Sequence, residues 1–252
     1  MGNELDETQD KIVDGGREVN VIDKQLPVKV GLEALLYQIG VWLIPVLIGV
    51  TIGYLASLNV DQKYKIVAIM VCGILGFIPG ISFYFKKIKI AAYFLQLQQK
   101  LQHDASQIDN YLEQRVTILK NAAKILEKGI ELDKETFVKI AELRSGNSQN
   151  DEDRNKLASD IDTVTKSINV AFEKYPELKA HNEIEDVMQQ NSYLQREITA
   201  ARELYNDSVL TWNKEIYVWP VNKIVAAKNG YTTRIPFATS QEVKKEAKEI
   251  LF

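Results

Sequence analysis

The sequence predicts an all-α protein: an N-terminal two-helix transmembrane hairpin followed by a long antiparallel helical bundle. Three observations carry that prediction. Residues 34–60 and 66–85 contain no Lys, Arg, Asp or Glu. Each run is long enough to cross a hydrocarbon core of ~30 Å as a helix rising ~1.5 Å per residue. From residue 86 to 219, apolar residues recur at steps of three and four, with no strand-like alternation of any length.

Charge is partitioned along the chain. Residues 1–33 carry 8 acids and 4 bases, and residues 86–252 carry 25 of each. A body with balanced charge argues against a nucleic-acid binder, which needs a net basic footprint. The single cysteine, Cys72, lies inside the second apolar run, so no intrachain disulfide can form. It reads as a small apolar residue of a helix. The N-terminus opens with Glu4, Asp6, Glu7 and Asp10 where a cleavable signal peptide needs bases. Met1-Gly2 would begin a myristoylation motif, but Asp6 stands where that motif wants Ser or Thr.

The first segment, 1–33, mixes charge with Gly15, Gly16 and Pro27, and is expected to be largely disordered, with an extended piece at 28–30. The first span is expected at about 35–58. Tyr37 and Tyr54 lie toward its ends, where aromatic rings favour the bilayer interface, and Trp42 lies about two turns in. Gly49 and Gly53 form a small-xxx-small face, assigned to packing within the hairpin ahead of dimerisation. The second span is expected at 66–85. Pro79 removes a backbone donor and Gly80 loosens the next turn, so a kink is expected there.

Orientation follows from the lysines. Lys86, Lys87 and Lys89 follow the second span, Lys24 and Lys29 precede the first, and only Lys63 and Lys65 lie between, with Asp61. The excess on the flanks favours a cytoplasmic placement of both termini. Lys86, Lys87 and Lys89 read as stop-transfer and anchoring residues.

The body, 86–220, is expected to be a bundle of long helices, each burying one stripe on the others. Its first stripe is Phe94, Leu97, Leu101, Ala105, Ile108, Leu112, Leu119, Ala122 and Leu126. Arg115 stands on that stripe and must find an acid or carbonyl partner. A break is expected near Gly129, with Asp133 as the next N-cap and Leu132 and Phe137 as a hydrophobic staple. Residues 145–153 read as a surface loop. The next stripe is Leu157, Ile161, Val164, Ile168, Ala171, Phe172 and Tyr175, ended by Pro176. The last long helix begins near Asn182. Its stripe is Ile184, Val187, Leu194, Ile198, Ala201, Tyr205, Trp212, Ile216 and Trp219, stopped by Pro220. The tail, 221–252, is too apolar to be a linker. It should pack or bind, with a short charged helix at 241–250.

The last long helix also carries a specific string: Arg196, Glu197, Ile198, Ala201, Arg202, Leu204, Tyr205, Asn206, Val209, Trp212, Asn213 and Ile216. This string, the turn Tyr175-Pro176-Glu177-Leu178, and Gln107-Ile108-Asp109 with Gln114-Arg115 on the first helix resemble the LemA family. So do Trp219-Pro220-Val221-Asn222 and Ile224-Val225-Ala226, and the resemblance extends over roughly 90–237. It implies a bacterial cell-membrane protein with a cytoplasmic up-and-down helical bundle, four helices being favoured over three, and no particular activity. The chain departs from the family in having two spans where one is usual. It also has Lys120 where a proline is common in the first long helix. The family's usual orientation, N-terminus outside and bundle inside, keeps a cytoplasmic bundle with two spans if the N-terminus moves inside. The matched polar residues Asp109, Arg115, Glu197, Arg202, Tyr205, Asn206 and Asn213 are expected to form a buried hydrogen-bond network that fixes helix register.

No catalytic constellation, cofactor motif or metal-ligand spacing stands out. His103 and His181 are isolated, and the chain has no phosphate-cradling glycine loop. Three functions are compatible with these features. The favoured one is a membrane-anchored interaction or scaffold module that recruits a protein partner through bundle or tail, alone or as a homo-oligomer. The second is a sensor with its bundle outside the cell. The third, a small channel or transport accessory, ranks last because neither span holds an ionisable residue to line a pathway. An enzyme is not expected.

Overall fold

The computed structural model describes residues 11–13, 16–18, 25–58, 61–129, 151–174 and 182–237. Its fold is all-α apart from one short ladder near the N-terminus. There, β1 (Lys11–Val13) pairs antiparallel with β2 (Gly16–Glu18), setting Lys11 opposite Glu18. Six helices follow: α1 (Leu32–Ala56), α2 (Gln62–Leu75), α3 (Ile78–Gly129), α4 (Asp151–Lys174), α5 (Asn182–Glu215) and α6 (Val221–Lys228). The described residues form two compact units. One joins Gln25–Gln98 to Trp212–Thr233, and the other contains Gln99–Thr211 and the segment from Arg234 onward.

In the first unit, α1 and α2 make the hairpin. By length and apolar composition, Leu32–Ala56 and the run beginning at Gln62 are each able to cross a membrane. Leu36, Leu43, Leu47 and Leu55 of α1, and Ile66, Met70 and Ile74 of α2, are each more than half exposed. The two helices approach closely through glycine. A Cβ at Gly49 would run into the backbone carbonyl of Cys72, and one at Gly53 would lie 2.9 Å from Ile69 Cα. The small-residue face is therefore used inside the hairpin. Across from it, Trp42 lies so close to Gly80 that a Cβ there would come within 2.5 Å of its ring.

The interruption in the second apolar run falls at Gly76 and Phe77, between α2 and α3, not at the expected Pro79-Gly80. The reason is the position of the proline. Pro79 sits in the first turn of α3, where a helix needs no N–H from it, so the break is displaced one turn toward the N-terminus.

α6 packs back onto the hairpin. Ala34, Phe83 and Ile224 are buried together, with Val41 and Val221 against them. Tyr37 bridges this cluster, edge-on to Phe83 at 5.8 Å and to Trp219 at 5.7 Å. Beyond α6, residues 231–233 run extended beside residues 26–28. Val28 N–H donates to Tyr231 O at 3.0 Å, and Pro27 and Thr232 form an antiparallel bridge. Phe94, Trp212 and Tyr231 stack into one aromatic knot, with ring centroids 5.1–5.7 Å apart, and Trp212 Nε1 donates to Thr232 O at 2.8 Å. Full burial of such a side chain stabilises by about 1.5–3 kcal/mol.

The second unit is the bundle. Its three described helical stretches each bury one stripe. Leu101, Ala105, Ile108, Leu112, Val116, Leu119 and Ala122 come from α3, and Ala158, Ile161, Val164 and Ile168 from α4. α5 supplies Leu194, Ile198, Ala201, Tyr205 and Val209. α3 runs unbroken through Lys120 as far as Gly129. The Asp133 cap, the staple and any fourth bundle helix fall outside the described residues, as do Tyr175, Pro176 and the 241–250 helix. Three boundaries differ from expectation. α4 already starts at Asp151, α5 ends at Glu215, short of Trp219, and residues 221–228 are helical.

Candidate functional site

The polar residues inside the bundle gather around Arg115. Each helix places a polar side chain on its buried stripe at the same level. Arg115 fills the step between Leu112 and Leu119 on α3. Asn191 fills the step between Val187 and Leu194 on α5. Thr165 lies between Ile161 and Ile168 on α4. The three meet. Arg115 Nε donates to Asn191 Oδ1 at 3.0 Å, and Nη2 donates to Thr165 Oγ1 at 3.2 Å. Nη1 donates to Asp162 Oδ1 at 2.7 Å. Arg115 is buried, whereas the Asp162 side chain keeps 34% of its surface exposed. The guanidinium thus has a charged partner at the edge and neutral acceptors inside. That arrangement satisfies it and fixes the register of three helices.

Arg202 is a second cation near this group. Its guanidinium lies over the Phe237 ring, 4.4 Å from the centroid, and its Nε is buried with no hydrogen-bond partner. Burial pushes Arg202 below its ordinary value, the Asp162 charge opposes that, and the Arg115 charge adds to it. One turn along α5, Asn206 grips the backbone of Phe237 at two points. Phe237 N–H donates to Oδ1 at 2.6 Å, and Nδ2 donates to Phe237 O at 3.0 Å. Further along, Ser208 Oγ donates to the buried Asp104 Oδ2 at 2.6 Å.

The seven family-matched residues take several positions. Arg115 centres its own cluster. Arg202 and Asn206 hold the chain at Phe237. Glu197 accepts from Tyr111 at 3.5 Å and from Tyr193. Tyr205 is buried, Asp109 is half-buried, and Asn213 belongs to the other unit. Asp162, Thr165 and Asn191 were not among the residues singled out from the sequence. Their signal was present all the same, since two of them occupy apolar steps of a stripe.

The lysines after the hairpin separate in role. Lys86 and Lys89 are exposed. Lys87 is half-buried, its Nζ donating to Gln38 Oε1 at 2.9 Å and lying 5.6 Å from the centre of the Phe83 ring. Among the described residues, no group of three or more His, Cys, Asp or Glu is placed to hold a metal ion. What these clusters can do is position helices and chain segments.

The model of a family described as the LemA family matches residues 104–252. A relative, Protein LemA of Metamycoplasma hominis, is 29% identical over 156 residues, covering 61% of this chain and 71% of the relative.

Proposed function

The chain belongs to the LemA family, and we propose that it is a membrane-anchored interaction or scaffold module. In this reading α1, α2 and the start of α3 form two crossings, and the bundle and both ends lie on the cytoplasmic side. One observation carries the topology. Residues 26–28, which lead into α1, are hydrogen-bonded to residues 231–233, which follow the bundle and α6. Joined in this way, the two segments share one face of the bilayer in this reading, and two crossings between them accommodate that. The exposed leucines and isoleucines of α1 and α2 are an apolar surface far larger than a protein in water normally presents. The excess of lysines on the flanks favours the cytoplasmic face. Within the bundle, the Arg115 cluster and the Ser208–Asp104 pair are satisfied internally, which favours the outer surfaces as the means of acting on a partner.

Topology is tested with single cysteines in a Cys72→Ala background and an impermeant thiol reagent on intact cells. Leu58→Cys, in the exposed turn after α1, should label on intact cells, and Ser192→Cys, exposed on α5, only after lysis. The opposite pattern would put the bundle outside and favour a sensor. Recruitment is tested by crosslinking capture with the full chain and with residues 1–98 alone. Identical partners from both would defeat the scaffold reading.

A further inference from the structure

We propose that Lys87 and Lys228 together form a site for the phosphate of an anionic phospholipid. The proposal rests on the membrane-anchored reading above. Its starting point is the contact between α3 and α6, where Phe83 and Ile224 are buried together against Ala34. Lys87 and Lys228 lie four residues beyond Phe83 and Ile224, so each is one helical turn past the contact. This register brings the Lys228 ammonium within electrostatic reach of Lys87.

Neither has a carboxylate to neutralise it among the described residues. The contacts of Lys87 are the neutral Gln38 Oε1 at 2.9 Å and the face of Phe83 at 5.6 Å. Burial, and then the like charge of Lys228, hold Lys87 below its ordinary value of 10.5. Two like charges with no carboxylate beside them are complemented by an anion with two free oxygens, one for each amine.

The surroundings select a lipid as the source of that anion. Tyr84, Phe85 and Ile88 lie on the same stretch of α3 and are exposed, as is Leu35 on α1. A phosphodiester between the lysines would have its acyl chains run along this apolar surface. A soluble phosphate would leave the surface uncovered. Lys86 and Lys89 are also exposed here, but they add general attraction to an anionic leaflet, without a second lysine from another helix to shape a site.

The test uses the full chain in neutral detergent, titrated with phosphatidylglycerol or phosphatidylcholine and followed by native mass spectrometry. The wild type should prefer the first phosphatidylglycerol by a factor on the order of ten. Lys87→Gln/Lys228→Gln should lose that preference, and Lys228→Gln, a change at an exposed position, should lose part of it. Lys86→Gln/Lys89→Gln should keep most of it. Equal losses in the two double variants, or a preference that survives Lys87→Gln/Lys228→Gln, would overturn the site. Inorganic phosphate displacing the lipid at comparable concentration would overturn the lipid as its ligand. Resistance of the wild type to carbonate extraction from cell membranes is measured in parallel. If the chain is extracted, the membrane reading itself fails. If it is retained without the lipid preference, only the site fails.

Discussion

Thr233 and Leu26 hold each other by two hydrogen bonds across 207 residues of sequence. Leu26 N–H donates to Thr233 Oγ1 at 2.7 Å, and Thr233 N–H donates to Leu26 O at 2.9 Å. Thr233 is fully buried. The chain entering α1 is thus fastened to the chain leaving α6.

Thr233→Val removes the hydroxyl at constant shape. It leaves the Leu26 N–H without its acceptor, which costs about 1–3 kcal/mol for a buried group. The paired backbone bond remains, so the unit should still fold. Thermal unfolding in detergent should show a clear loss for Thr233→Val and nearly none for Thr233→Ser. Limited proteolysis should cut after Lys29 faster in the valine variant. Equal melting of wild type and valine variant would mean that the hydroxyl contributes nothing.

Arg115→Leu should be the most damaging single change in the bundle. It strands Asn191 and Asp162 at once. Removing one partner of a buried pair costs about 3–5 kcal/mol, and the exposure of Asp162 reduces that toward the lower end. Asp162→Asn should be milder, because the amide oxygen can still accept from Arg115. Chemical denaturation followed by circular dichroism ranks the two. If Asp162→Asn destabilises more than Arg115→Leu, the cluster is not centred on the arginine.

The bundle was legible because burial of one helical face leaves a period in the sequence. Leu101, Ala105, Ile108, Leu112 and Leu119 were all on the stripe, and all are buried. Arg115 was legible as a polar residue on that stripe, but its partners were not. Asp162, Thr165 and Asn191 lie 47, 50 and 76 residues away, and a single sequence does not record which helices face each other. The steps they interrupt give the level of the cluster once the helices are aligned. The Leu26–Thr233 clasp left no periodic trace, being a backbone pairing of short extended pieces. α6 escaped notice because eight residues between Pro220 and Gly230 hold barely two turns of pattern. The kink was misplaced by one turn because Pro79 could be accommodated at a helix start as well as within a helix.

Two tyrosines should respond differently to alkali. Burial first, and the Glu215 charge second, hold the Tyr93 phenol above its ordinary value of 10.0. Tyr193 is raised first by the Glu197 charge and then by a hydrogen bond to it. A raised folded-state value means that the folded chain keeps the proton longer than the unfolded chain does. This contribution to stability is complete below about pH 10 and declines as pH rises through the folded value. Tyr93→Phe should therefore match the wild type at neutral pH and lose less stability above pH 10. Phenolate absorbance should show that added salt lowers the Tyr193 titration midpoint and moves that of Tyr93 less, since salt screens charge and not burial. A Tyr93→Phe variant with an unchanged alkaline decline would exclude Tyr93 as a contributor.

Gly49 and Gly40 lie on the same helix, and alanine should separate them. At Gly40 an added Cβ would meet only Ile44 Cδ1, at 3.4 Å, the mobile end of a side chain. At Gly49 it would collide with the Cys72 carbonyl oxygen, and a backbone carbonyl cannot turn aside without moving α2. Gly49→Ala must therefore push the two helices apart, losing packing along the whole crossing. In a bilayer, packing of small residues is a main source of helix association. Gly40→Ala should be neutral or slightly stabilising, as alanine favours the helix by about 1 kcal/mol over glycine in water. A disulfide trap reads the outcome directly. Val50 Cγ2 approaches the Cβ position of Gly73 to 3.3 Å, so Val50→Cys/Gly73→Cys in a Cys72→Ala background should oxidise readily. Adding Gly40→Ala should leave the oxidation rate unchanged, and adding Gly49→Ala should slow it severalfold. If both additions behave alike, the glycine face is not what holds the hairpin closed.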